Sequence, residues 1–275
     1  TRSSWVTGVQ TCALPICYEM SDWFEMINKN VADEKSILIM FPYAGGGASI
    51  FRKWENYFED IKLYAVQYPG RENRFSDKPI SDIEELTENI FCNIKDIINS
   101  GKPYYLFGHS MGTKVAYEVA LKIKNGNLPQ PEAMIVSAGK APCYKESKPI
   151  CHLDDDGFIE GLKRYGGTPK EILDNRDLIG IFLPMLRADF LIDEKYQDVK
   201  YEKIDSSIFG LMGIDDKEMI LEELKKWRDY TTKEFSYEYI DGAHMYLYEK
   251  GESVAKKIKK FIKENEDKKI SVSEF

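Results

Sequence analysis

The stretch Gly108-His109-Ser110-Met111-Gly112 is where this chain is best equipped for chemistry. It directly follows the apolar run Tyr104-Tyr105-Leu106-Phe107 and directly precedes a segment of helical period that begins at Met111. A serine between two glycines at a strand-to-helix turn is held in a strained conformation, with its Oγ pointing out above the sheet. The glycines are required because a Cβ at either position would meet the neighbouring strand or helix. The chemistry on offer is nucleophilic attack by Ser110. A serine hydroxyl is a poor nucleophile at neutral pH, so a base must lie within hydrogen-bond reach.

The chain offers three histidines for that task. His109 lies inside the turn, and its side chain cannot fold back onto the serine with good geometry. His152 opens a long segment with no buried strand. His244, in Asp241-Gly242-Ala243-His244-Met245, follows the last apolar strand-like run and precedes the last helical segment. A loop at the C-terminal end of a strand shares a sheet edge with the serine turn, which makes His244 the candidate base. The base needs a carboxylate to fix its tautomer and stabilise the imidazolium. Asp215 and Asp216 follow the preceding strand, and Asp216, three residues past Gly213, is preferred, with Asp215 as the alternative. Activity is then expected to fall as the pH drops into the range where a histidine is protonated. The oxyanion of a tetrahedral intermediate needs backbone donors. One is the N–H of Met111, after the nucleophile. The other is sought in Phe41-Pro42-Tyr43-Ala44-Gly45-Gly46-Gly47-Ala48, where Ala44 is the first choice and Gly45 the next. That loop lacks the Gly-Lys-Ser/Thr ending of a phosphate-binding loop.

These residues must be positioned by a larger scaffold. Short apolar runs at Ser36 to Phe41, Leu63 to Val66, Tyr104 to Phe107, Ala133 to Val136, Ile204 to Leu211 and Phe235 to Ile240 suit strands buried on both faces. Between them lie helical periods at Ile83 to Ile98, with Ser81 as expected N-cap, at Met111 to Ile123 and at Ser253 to Ile262. Strands alternating with helices imply an α/β fold with a mostly parallel, doubly wound sheet. The order Ser110, Asp216, His244 along the chain is that of the α/β-hydrolases. From about Lys140 to Lys203 the alternation stops, and Phe158 to Tyr165 and Asp177 to Tyr196 have helical spacing. This segment is too long for a plain loop and is expected to be a helical lid over the sheet.

Composition bounds the function. The 275 residues, 43% hydrophobic and 31% charged, suffice for one large domain with an insertion. A net charge of -8 argues against nucleic acid as a partner, since phosphate contacts need Lys and Arg. No apolar run approaches the roughly 18 residues that span a membrane. The cysteines, Cys12, Cys17, Cys92, Cys143 and Cys151, form neither a metal-type cluster nor a disulfide framework, and read as free thiols in a reducing, cytoplasmic compartment. Thr1 to Cys17 carries one charge, Arg2, and no clean period. Residues 1–19 are therefore expected to be an extension foreign to the domain, with the native start near Met20.

Five motifs in order carry a resemblance. They are Phe41-Pro42-Tyr43-Ala44-Gly45-Gly46, Tyr68-Pro69-Gly70-Arg71-Glu72-Asn73-Arg74, Gly108-His109-Ser110-Met111-Gly112, Leu183-Pro184-Met185-Leu186-Arg187-Ala188-Asp189 and Gly242-Ala243-His244-Met245. Together they resemble the type II thioesterases that accompany nonribosomal peptide and polyketide synthetases, over about Ile37 to the final helix. The resemblance implies an editing enzyme that hydrolyses acyl groups wrongly attached to the phosphopantetheine arm of a peptidyl or acyl carrier protein. It implies Ser110, Asp216 and His244 as triad, Ala44 and Met111 as oxyanion hole, no metal or cofactor, and a monomer. Arg187 and Asp189 are expected to brace the lid, and Arg71 and Arg74 to fix their loop by ion pairing. Many members carry a histidine where this chain has Tyr43. That position is not the base, so the chemistry is expected to survive while the acyl pocket changes shape or wetting. A thioesterase for acyl-CoA or fatty-acyl chains, a carboxylesterase or acyltransferase, and a carrier-docking protein without turnover are the competing readings. Docking on an acidic carrier would need a local basic patch, for which Lys140, Lys145, Lys148, Lys163 and Arg164 are candidates.

Overall fold

A computed structural model describes residues 21–273 apart from 30, 32 and 199. The expectation for residues 1–19 lies outside the described residues. Seven strands, β1 Phe24–Met26, β2 Ser36–Phe41, β3 Ile61–Val66, β4 Tyr104–His109, β5 Ala133–Ser137, β6 Ser207–Gly213 and β7 Phe235–Ile240, form one sheet in the order β1-β3-β2-β4-β5-β6-β7. All neighbouring pairs are parallel except β1 with β3. β2, β4 and β5 are buried along their whole length, as strands with both faces covered must be. β1 is too short to leave a periodic signal and was not expected from the sequence. Residue 204 was expected to open β6, yet Ile204 makes only an isolated bridge to Thr231, and the strand starts at Ser207.

Helices cover both faces. α1 Ile83–Ile98 and α2 Met111–Asn125 pack on one face with Ile90, Ile94, Val115 and Val119 turned to the sheet. The N-cap of α1 is Asp82 and not Ser81: its carboxylate accepts the Glu85 N–H at 2.9 Å and adds a negative charge at the positive end of the helix dipole. A 3-10 segment, Ala48–Asn56, and the last helix cover the other face with Phe51, Trp54, Val254 and Ile258.

Between β5 and β6 the chain leaves the sheet in a helical excursion. It holds α3 Asp155–Tyr165, α4 Lys170–Leu173 and α5 Arg176–Lys195, with α6 Leu221–Lys225 following β6 and α7 Gly251–Ser273 ending the fold. The excursion has its own small core of Phe158, Leu162, Ile179, Met185, Leu186 and Phe190. Pro184 sits inside α5 and removes one ladder hydrogen bond there.

Parallel strands put all their C-terminal ends on one edge. Phe41 of β2 pairs with Gly108 of β4, and His109 with Ser137 of β5, so the loops after β2, β4, β6 and β7 crowd above the same edge. The crowding is tightest at the turn after β4, where a Cβ on Gly112 would lie 2.1 Å from the Phe41 carbonyl oxygen. Gly112→Ala should therefore destabilise the fold by about 3 kcal/mol, the upper range for overpacking, as read from urea denaturation. A midpoint equal to that of the parent would show that the turn has room to relax.

Candidate active site

Ser110 occupies the step between β4 and α2 at φ +52°, ψ -120°. A non-glycine residue in that region costs about 1–3 kcal/mol and needs its surroundings to hold it. The Ser110 N–H donates to the Ser137 carbonyl at 2.8 Å, and the Ser110 carbonyl accepts from the N–H and the hydroxyl of Thr113 at 3.0 and 2.7 Å. So clamped, Oγ lies 3.1 Å from His244 Nε2, and His244 Nδ1 lies 3.0 Å from Asp216 Oδ2. A carboxylate accepts only, so Nδ1 carries the proton and Nε2 is left to accept from the Ser110 hydroxyl. Asp216 has its side chain fully buried, and its other oxygen accepts the Glu218 N–H at 2.8 Å. Asp215 is exposed and points its backbone N–H at the Gly242 carbonyl, so of the two adjacent acids Asp216 is the one facing the ring. His152, in the excursion, and His109 make no contact with Ser110 Oγ.

The loop after β2 is a tight turn, closed by the Gly46 N–H on the Tyr43 carbonyl at 2.9 Å, with Gly45 at φ +85°. The Gly45 N–H donates to Asp189 Oδ2 of α5 at 2.7 Å and is thus occupied. The Ala44 N–H has no acceptor among the described residues, and Ala44 lines the space beside Ser110. Met111 is the first residue of α2, where a helix N–H has no carbonyl of its own helix to bond.

Two small spaces of about 20 Å³ each flank Ser110 and His244. One is lined chiefly by Leu162, Tyr165, Phe190 and Met245, together with Tyr43, Gly167, Thr168 and Asp193. The other is walled by ion pairs: Lys114 with Asp193 at 2.6 Å, Lys140 with Glu146 at 3.0 Å and Arg164 with Glu218 at 2.9 Å. A larger cleft of about 660 Å³ lies at the opposite edge of the sheet, near Lys35 and Tyr104, and includes none of these residues.

A strained serine, a histidine and a buried aspartate in series, beside the Ala44 N–H that the loop after β2 leaves without an acceptor among the described residues, can attack an acyl carbon and hold the resulting oxyanion. The thioesterase domain family profile matches residues 36–262. The chain belongs to the thioesterase family. It is similar to the gramicidin S biosynthesis protein GrsT of Aneurinibacillus migulanus, with 35% identity over 233 residues, 84% of this chain and 90% of that one. It is also similar to the medium-chain S-acyl fatty acid synthase thioesterase of Rattus norvegicus, 31% identical over 217 residues, 76% of this chain and 81% of the other. Among solved structures it superposes on YbtT, a type II thioesterase from the yersiniabactin NRPS/PKS pathway, with TM-score 0.79, 28% identity, and coverage of 86% of this chain and 96% of that one.

The arginines and acids of the remaining motifs divide their work in this thioesterase. Arg187 stays within the excursion, bonding Asp155 at 2.7 Å and the Leu153 carbonyl at 3.0 Å. Arg74 pairs with Asp77 at 2.8 Å beside its own loop. Arg71 and Asp189, both buried, form a two-pronged ion pair at 2.6 and 2.8 Å across 118 residues of sequence. Arg71 also donates to the Gly46 carbonyl at 3.0 Å. Sequence reasoning placed Asp189 as a brace of the excursion and missed its hold on the Ala44–Gly46 turn. No local pattern signals a contact of that span.

The basic residues near the excursion are largely spent. Lys140, Lys163 and Arg164 are ion-paired, and only Lys145 and Lys148 of the five stay exposed with no ion pair among the described residues. Cys151 is not a reactive thiol: burial, then the Glu194 carboxylate, push its pKa up to about 11.

His109 is fully buried, and its Nδ1 lies 2.9 Å from Ser137 Oγ. Burial lowers its pKa to about 3, with the neighbouring His244 adding to the effect. Below its ordinary pKa of about 6.5, the unfolded chain takes up a proton that the folded chain refuses, so stability falls as the pH drops from about 6.5 toward about 3. His109→Gln should lose ~2 kcal/mol less than the parent between pH 7 and pH 5, measured by urea denaturation at each pH. Equal losses in both would place the acid sensitivity elsewhere. Asp189→Ala leaves Arg71 buried without a counter-charge and should cost about 3–5 kcal/mol. A loss under about 1 kcal/mol, read from the urea midpoint, would mean that the pair does not hold the turn.

Proposed function

We propose that this thioesterase removes acyl groups from the phosphopantetheine arm of carrier proteins, as an editing enzyme of peptide or polyketide assembly. The observation that carries the reading is the Ser110–His244–Asp216 series in a chain of this family whose similar proteins include GrsT and YbtT. In this reading Ser110 is the nucleophile, His244 the base and Asp216 its partner. The backbone N–H groups of Ala44 and Met111 form the oxyanion hole.

The mechanism follows from the geometry. Ser110 Oγ attacks the thioester carbonyl carbon while its proton passes to His244 Nε2. Asp216, already bonded to Nδ1, stabilises the imidazolium. The tetrahedral oxyanion collapses and the C–S bond breaks, and His244 returns the proton to the leaving sulfur. A water then gives its proton to His244 and attacks the acyl-serine, which releases the carboxylic acid and restores the serine hydroxyl. The excursion over residues 140–203 acts as a lid that excludes bulk water from these steps. The acyl chain favours the side lined by Leu162, Phe190 and Met245, and the amide-rich pantetheine arm the ion-paired side, since burial rewards apolar surface and penalises unpaired polar groups. We take a monomer as the working unit of this proposal.

The similarity to a fatty acid synthase thioesterase keeps free or fatty acyl thioesters as the second reading. Thiol release from an acetyl-loaded peptidyl carrier domain, compared with acetyl-CoA at equal concentration, separates the two. Faster release from the carrier, reduced at least ~10⁴-fold in Ser110→Ala, is the expected result. Equal or better turnover of acetyl-CoA would assign a general acyl-thioesterase.

A further inference from the structure

The apolar space beside Ser110, at about 20 Å³, is room for about one water and not for an acyl chain. Some part of its lining must give when substrate enters. Most of the lining is fixed. Ser110 and His244 are held by the bonds described above, and Ala44 by the turn on Asp189. Phe190 and Asp193 belong to the C-terminal half of α5, which is pinned by Arg71 on Asp189, by Lys114 on Asp193 and by Glu194, whose carboxylate accepts the Ile150 and Cys151 N–H groups at 2.7 and 2.8 Å. The exception is the connection between α3 and α4. It turns at Gly166, with φ +69°, and continues through Gly167 and Thr168, which both line the space. Among the described residues, one hydrogen bond ties this connection to the sheet domain: the Tyr248 hydroxyl donates to the Gly167 carbonyl at 3.0 Å. That hydroxyl in turn accepts from the Tyr43 hydroxyl, whose ring lies edge-on to that of Tyr248 with centroids 5.7 Å apart. Tyr43 is buried in the turn that carries Ala44, whereas Tyr248 is 53% exposed. Water competes for the Tyr248 end, so the tie breaks and reforms readily.

Resting on the thioesterase reading above, we propose that Tyr43 and Tyr248 form a strap that sets acyl-chain length: it holds Gly166–Thr168 across the end of the apolar space, admits short acyl groups and turns away long ones. A long chain running past Leu162 and Met245 meets Gly167 and must push it outward against the strap. Removing the Tyr248 hydroxyl keeps both rings in place and releases the connection, whereas removing that of Tyr43 leaves the Gly167 bond made but takes away the buried partner that orients it. Tyr43 and Tyr248 are thus specificity-determining residues and not parts of the proton relay.

The test compares Tyr248→Phe and Tyr43→Phe with the parent, using acetyl- and octanoyl-pantetheine as substrates. The octanoyl-to-acetyl ratio of kcat/KM should rise about fivefold in Tyr248→Phe and by less in Tyr43→Phe, and the double variant should rise no further than Tyr248→Phe, since both hydroxyls serve one strap. A ratio within twofold of the parent in Tyr248→Phe overturns the proposal. Labelling of Ser110 by methyl and octyl fluorophosphonates gives the same ratio without any thioester. Labelling that discriminates by length in the parent and loses that discrimination in Tyr248→Phe sustains the strap even if thioester turnover fails. Unchanged discrimination removes the strap and leaves the thioesterase reading intact.

Discussion

The Arg71–Asp189 pair is the contact on which the geometry around Ser110 depends. Two charges taken out of water are costly, and their mutual attraction offsets that cost only when the remaining donors and acceptors are satisfied. Here they are. Asp189 accepts from Gly45 as well as from both prongs of Arg71, and Arg71 also donates to the Gly46 and Pro69 carbonyls. The pair therefore links three segments distant in sequence: the turn after β2, the loop after β3 and the second half of α5. Its effect on the turn is directional. With the Gly45 N–H drawn toward α5 and the Gly46 carbonyl drawn toward Arg71, the peptide planes of the turn are set, and the Ala44 N–H is the donor left without an acceptor among the described residues. An oxyanion hole works through dipoles that need no reorganisation when charge develops, so a turn fixed from outside the reacting centre is what that chemistry requires.

The same reasoning explains why the strained serine is tolerable. Its positive φ is held by the Ser137 carbonyl on one side and by Thr113 on the other, and both partners are themselves buried. Behind the serine, the chain of His109, Ser137 and Tyr246 fills the space under the turn, with Tyr246 bonded in turn to the Leu211 carbonyl at 3.2 Å. His109 thus belongs to the support of the turn, and its burial keeps it neutral beside a base that must gain and lose a proton.

The sequence made the candidate residues legible because each is marked by a short-range pattern. Ser110 lies between glycines at a strand–helix step, and Asp216 and His244 lie just past apolar strands. Choosing Asp216 over Asp215 was a matter of register, and burial of the carboxylate against Glu218 is what the register produces. The strands of the sheet interior were legible for the same reason, since burial on both faces demands continuous apolar runs. What escaped is what depends on distance along the chain. Asp189 meets Arg71 across 118 residues, and Tyr248 meets Tyr43 across 205, and no periodicity encodes either. β1 escaped because three residues are too few for a period. The basic residues near the excursion misled, because charge in a sequence does not show which cations already have partners.

The excursion is attached to the sheet domain by contacts of very different strength, and that difference assigns its motion. Breaking a buried ion pair such as Arg71–Asp189 leaves an uncompensated charge and costs about 3–5 kcal/mol. Breaking the hydrogen bond of Tyr248, a residue 53% exposed, exchanges it for water and costs about 1 kcal/mol, which leaves the open form populated at the level of roughly one molecule in six. The second half of α5 must then stay seated through many openings of the α3–α4 connection. Pro184 lies where such a division is easiest, because the helix ladder is already interrupted there. A thioesterase that keeps the Ala44 turn fixed while the space beside Ser110 opens needs this order of strengths. If the loose contact were on Asp189 and the firm one on Gly167, admission of substrate would disturb the Ala44 turn at the moment it is needed.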